Sequence, residues 1–240
     1  MITSMSILEN AEAGDLYRRS CANSFLNDKA RAGQGYELST ISADAERSLR
    51  NAVDSIPLYK FCEIAIINSD ADNGFPHTRP KNVVCIPDTL CSKTPATPKF
   101  METLLHEAIH VHQRLNRDLW EQGLKKVKWT RISPDKIPDK FKDRLRLNPD
   151  TILEPFWAWS NYHVPLCMFK NINKPNLGDT VVEWLDLRTG SLFHNPPDGF
   201  KKAYPMHINQ MEHPYEIYAE ILASLGIKTA SGLETAILDL

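Results

Sequence analysis

A chain of 240 residues, 42% of them apolar and 24% charged, can bury one sizeable core, and its composition excludes a disordered, collagenous or fibrous protein. The formal net charge of −2 commits it to neither nucleic acid nor membrane, and no segment approaches the ~18 consecutive apolar residues of a spanning helix. Five cysteines without a CxxC pair suit free thiols in a reducing compartment; with no basic and apolar leader at the start, the expected location is intracellular, in the cytoplasm.

Residues 1–60 read as a helical region, with amphipathic stretches around Leu16–Leu26 and Asp44–Val53 and breaks at Gly33 and Gly35. They carry no chemical signal. Residues 61–240 read as the main domain. Phe61–Ile67 and Asn82–Ile86 are short runs rich in β-branched residues, separated by the turn residues Asp72-Asn-Gly74, and they predict two strands. A helix follows, with Thr97 as N-cap, Pro98 at the first helical position, and an apolar stripe reaching about Leu115.

Residues 117–150 are punctuated by Pro134, Pro138 and Pro149 and read as a basic loop. Between Arg114 and Arg146 there are 11 Lys/Arg against 5 Asp/Glu. Tyr162–Phe169 predicts a strand that Pro165 demotes to an edge. Val181–Leu187 and Ser191–Phe193 predict a hairpin around Arg188-Thr-Gly190, and Pro214 opens a helix over 214–225 that Gly226 closes. Trp157, Trp159 and Trp184 are expected in the core. The basic segment with Trp120 and Trp129 has no nucleic-acid motif and reads as a solvated surface or a flap, so nucleic acid is not an expected partner.

The chemistry sits in Leu104-Leu-His-Glu-Ala-Ile-His110. Residues four apart on a helix stack on one face, so His106 and His110 can share one Zn²⁺. Glu107, about 100 degrees round the helix, stays off the metal but within reach of a water on it. Two polar histidines on an exposed helix face are the alternative.

This stretch resembles the active-site helix of the zincin metallopeptidases, and strands before helix match that fold's order. The resemblance implies an α+β zincin-like domain: a small, mostly antiparallel sheet, an active-site helix and a C-terminal glutamate helix. It also implies a zinc metallopeptidase acting on a peptide or protein substrate. No x-x-Gly-x-x-His extension follows His110, which argues against a metzincin. Glu216-Ile-Tyr-Ala-Glu220 is similar to the Glu-aromatic-aromatic-Ala-Glu helix of the lethal-factor and Pro-Pro-endopeptidase group. That likeness makes Glu216 the third ligand and Glu220 the carboxylate that buttresses His106 or His110. The separation between His110 and Glu216 is long for the group, so residues 117–200 or so would be an insertion; Glu154, Glu183 and Asp186 are alternative ligands.

An oxyanion donor is also required. The related group has a tyrosine seven residues before its glutamate, where this chain has Asn209. Candidates are therefore Tyr204 and His207, with His213 and Tyr215 behind them. His112 is expected to make core hydrogen bonds. His77 is expected either to line the cleft or to sit in a surface loop, and the strand at 82–86 is expected to hold an extended substrate along its edge. Two other classes compete: a non-catalytic binding module using the basic Trp-bearing segment, and a zinc hydrolase of non-peptide amides with Cys91 as third ligand.

Overall fold

The structure, a computed structural model, describes residues 6–93, 97–205 and 211–240. Four helices come first among the described residues: α1 (Ile7–Asp15), α2 (Tyr17–Ala22), α3 (Phe25–Ala30) and α4 (Ala43–Asp54). Ser6 and Ser42 start α1 and α4 by accepting backbone N–H groups that have no partner within a first helical turn. Ala45, Leu49 and Ala52 recur at helical spacing and bury one face of α4.

The next strands are β1 (Glu63–Ile67), β2 (His77–Arg79) and β3 (Val83–Pro87), in the spatial order β1-β3-β2. β2 and β3 form an antiparallel hairpin, which leaves β1 parallel to β3. This corrects the expected edge role of residues 82–86. β3 is the central strand and is buried at every position, as an unbroken apolar run should be; the edges are β1 and β2.

After α5 (Asp88–Lys93) comes the long helix α6 (Pro98–Leu115). The expected basic loop then proves to hold a helix, α7 (Arg117–Lys126), because Trp120 and Leu124, one turn apart, bury the same face. Trp120 and Trp129 are completely buried while Lys125, Lys126 and Lys128 face solvent. The segment therefore presents no exposed aromatic platform, which removes the observation behind a binding module built on it.

A second sheet is wholly antiparallel: β4 (Trp129–Arg131), β5 (Trp157–Trp159), β6 (His163–Phe169), β7 (Thr180–Asp186) and β8 (Ser191–Phe193), in that order, with α8 (Asp139–Lys142) between β4 and β5. Alternation divides its faces. Trp157, Trp159 and Trp184 join the main core with α6, whereas Ala158, Val164, Leu166, Met168 and Leu185 form a second cluster on the other side. Pro165, expected at an edge, sits on the middle strand opposite Trp184. It is tolerated because β5 meets β6 only at His163, so no strand flanks the proline on its other side.

α9 (Asp198–Ala203), α10 (Pro214–Ser224) and α11 (Ala230–Leu238) complete the chain. Gly190 and Gly226 take φ of 70°, in the β7–β8 turn and just beyond α10, where a side chain would be strained. α11, which no signal in the sequence announces, packs on α7, and α10 packs on α6. Architecture is thus α+β with two small sheets. Among the described residues all five cysteines are free, and no helix is long and apolar enough to cross a membrane.

Candidate metal centre

Helix α6 aims the motif. Thr97 Oγ1 accepts the Phe100 N–H at 3.2 Å and Pro98 occupies the first turn, so the phase of the helix is set at its start. Ten of its residues are buried, among them Glu107 and His110. His106 and His110 rings meet edge to face with centroids 4.7 Å apart, and their Nε2 atoms are 3.0 Å apart.

Helix α10 supplies the third group. His213 caps it: Nδ1 accepts the Tyr215 N–H at 3.1 Å, and Nε2–H donates to the Glu154 carbonyl at 2.9 Å. This neutral form suits its surroundings, since burial pulls the His213 pKa down to about 4. One turn in, Glu216 places Oε2 at 3.3 Å from His106 Nε2 and 3.4 Å from His110 Nε2. A tetrahedral zinc with bonds of about 2.0–2.1 Å separates its ligand atoms by about 3.3 Å, and the edges of this triangle match that spacing.

The far sides of the rings fix which atoms face inward. His110 Nδ1 lies 2.7 Å from Gln113 Oε1, and the Gln113 amide is oriented by donating to the Tyr215 carbonyl at 2.9 Å. His110 therefore carries its proton on Nδ1 and turns a lone pair inward. His106 Nδ1 faces Glu220 Oε2 at 3.6 Å, one turn beyond Glu216. Three groups of ligand type thus converge on one point. Their charges support one another. Burial opposes charge on all three groups, yet Glu216 and Glu220 hold His106 well above its usual value, Glu216 raises His110, and the two imidazoles hold Glu216 well below the carboxylate range. His106, His110 and Glu216 are the described group of ligand-type residues whose donor atoms all lie within 4.8 Å of one another.

Glu107 lies on the wall of a cleft of about 600 Å³ that also receives His106 and Glu216. Its Oε2 is buried and has no hydrogen-bond partner among the described residues. Burial and the nearby Asp150 push its carboxyl up to about 7, against the pull of His106 and His110. The donor set and this unpartnered oxygen both fit a divalent ion with a water beside it.

Other expected residues lie elsewhere. Glu154 is fully engaged: Oε1 takes Arg117 and Arg131 at 3.0 and 3.1 Å, and Oε2 accepts the Tyr215 hydroxyl at 2.9 Å. Glu183 and Asp186 face His194 and Arg188 on the second sheet. Cys91 is buried in the main core. Tyr204 is also a core residue, its hydroxyl 3.1 Å from both Trp129 Nε1 and the Tyr218 hydroxyl; the expected oxyanion role fails because the group is turned away from the cleft. His207 and Asn209 lie outside the described residues. His112 accepts the Trp120 N–H at 3.1 Å within the core, and His77 is buried on the cleft wall beside Tyr36.

Several cleft residues carry no signal in the sequence. Tyr17 and Arg31 reach it from the N-terminal helices, tied to Asp72 at 2.7 Å each. Asp150 accepts the Thr78 N–H at 2.6 Å, so the side of buried β2 that faces away from β3 is already occupied at that residue. Compared with protein-family models, with curated proteins and with solved structures, the chain matches none.

Proposed function

We propose that the chain is a zinc-dependent metallopeptidase of zincin-like fold. The observation that carries the reading is the convergence of His106 Nε2, His110 Nε2 and Glu216 Oε2 at 3.0–3.4 Å, beside Glu107, whose buried Oε2 has no partner among the described residues. The order of elements supports it as well. A sheet with edge strand β2 precedes α6, and α10 returns across α6 with Glu216 and Glu220 on one face.

His106, His110 and Glu216 would hold the ion through one atom each. A divalent ion there supplies an acidified water and a Lewis acid for a carbonyl oxygen. Glu107 does the proton work. Its carboxyl accepts a water's proton at the unpartnered Oε2 and returns it to the leaving amine. His110 keeps its lone pair inward through Gln113, and Glu220 does the same for His106. The peptide chain would lie in the cleft, with its backbone held by groups other than the Thr78 N–H.

The test compares wild type with E107Q for bound zinc and for cleavage of a peptide library. E107Q is expected to keep zinc and lose about 10²–10⁴-fold in rate. Hydrolysis by E107Q at the wild-type rate would overturn the mechanism.

A further inference from the structure

Asn148 lies 68 residues before Glu216 in the chain, on the loop between α8 and β5. All of its side-chain hydrogens and its oxygen are engaged. Nδ2 donates to Glu216 Oε1 at 2.8 Å and to Glu212 Oε1 at 2.9 Å, while Oδ1 accepts the Asp150 N–H at 3.0 Å. That last bond assigns the two ends of the amide, because only the oxygen can accept. Glu212 is in turn gripped by Arg146, whose Nη2 lies 2.5 and 2.7 Å from its two oxygens. Asn148 therefore joins two carboxylates at the start of α10, and one is countered by a mostly buried arginine.

A carboxylate can bind an ion through one oxygen or both. Here Oε2 faces the two histidines and Oε1 faces Asn148. We infer that Asn148 is a positioning residue that restricts Glu216 to single-oxygen ligation and so keeps a coordination position open for water or substrate. The inference rests on the metal reading of His106, His110 and Glu216 given above. If Glu216 turned to present both oxygens, the open corner that a catalytic zinc site needs would be filled. Arg146 and Glu212 hold the asparagine from behind, as outer-shell groups do around ligating carboxylates.

The experiment measures zinc dissociation constants by competition with a chromophoric chelator and visible spectra of the cobalt-substituted protein, for wild type, N148A, N148D and H110A. N148A is expected to bind zinc about 10–100-fold more weakly. N148D keeps the acceptor for the Asp150 N–H, and with it the turn, but loses both donors. Its cobalt spectrum is expected to weaken as four-coordinate geometry gives way to five, and it decides the question if N148A does not fold. A wild-type cobalt spectrum in N148D, or a wild-type zinc constant in folded N148A, would overturn the role of Asn148 while H110A still lost zinc. Zinc bound by H110A as tightly as by wild type would instead overturn the metal centre itself, and the inference with it.

Discussion

Glu107→Gln in the metal-free protein should change how stability depends on pH. The Glu107 carboxyl is held at about 7 in the folded chain against an ordinary 4.5, first because it is buried and next because Asp150 lies near. Below 4.5 the group is neutral in both states and the folded protein keeps its full advantage. Between 4.5 and 7 the unfolded chain gives up the proton while the folded chain retains it, so stability falls as pH rises, and above 7 that contribution is gone. A gap of about 2.5 pH units at about 1.4 kcal/mol each sets the loss at about 3 kcal/mol. Glutamine has no such titration. Urea unfolding in the presence of chelator, from about pH 4 to about pH 8.5, should therefore show E107Q gaining on wild type by up to about 3 kcal/mol. Only the slope counts, because an amide on the buried Oε2 position adds an offset at every pH. A difference that stays flat across the range would refute the claim that this carboxylate is ionised at a cost in the folded protein.

Arg79 is fully buried, with Nε and Nη2 on the two Asp15 oxygens at 2.6 and 2.7 Å and Nη2 also on Glu12 at 2.7 Å. R79M leaves Asp15 buried without its partner and is expected to cost about 3–5 kcal/mol in urea unfolding; a loss below about 1 kcal/mol would contradict that view of the cluster. Gly123 on α7 is expected to resist substitution although alanine is the better helix former. Its Cβ would stand 2.8 Å from the Ile237 carbonyl oxygen on α11, so G123A should lose about 1–3 kcal/mol, and a thermal midpoint above wild type would show that the α7–α11 contact can open at little cost.

Local signals were legible where chemistry and geometry are local. Thr97, Pro98 and the apolar stripe gave α6 its limits, and Pro214 with Gly226 bracketed α10. Both strands around Gly190 also lie where alternation put them. α7 was hidden because its lysines dominate the composition while Trp120 and Leu124 make the contacts that hold it. Strand order was not legible either: runs at 63–67 and 83–87 read alike, and only pairing distinguishes a central strand from an edge. At the site, His106, Glu107 and His110 follow from helical spacing alone. Glu216 needed a likeness in its own helix, and the choice over Glu154 rests on a tertiary fact, the three partners that occupy Glu154. Asn148, Asp150, Tyr17 and Arg31 reach the cleft from distant segments whose residues carry no spacing to read. The core position of Tyr204 is hidden for the same reason, since proximity in sequence to α10 says nothing about which way a side chain turns.

The central claim is that two imidazoles and the Glu216 carboxylate hold one divalent ion. Elemental analysis of wild type, E216A and E154A, purified side by side and loaded with zinc, tests it directly. Stoichiometric zinc in wild type and E154A with loss in E216A is the predicted result. Wild-type protein without bound transition metal, or E216A retaining zinc as wild type does, would contradict it.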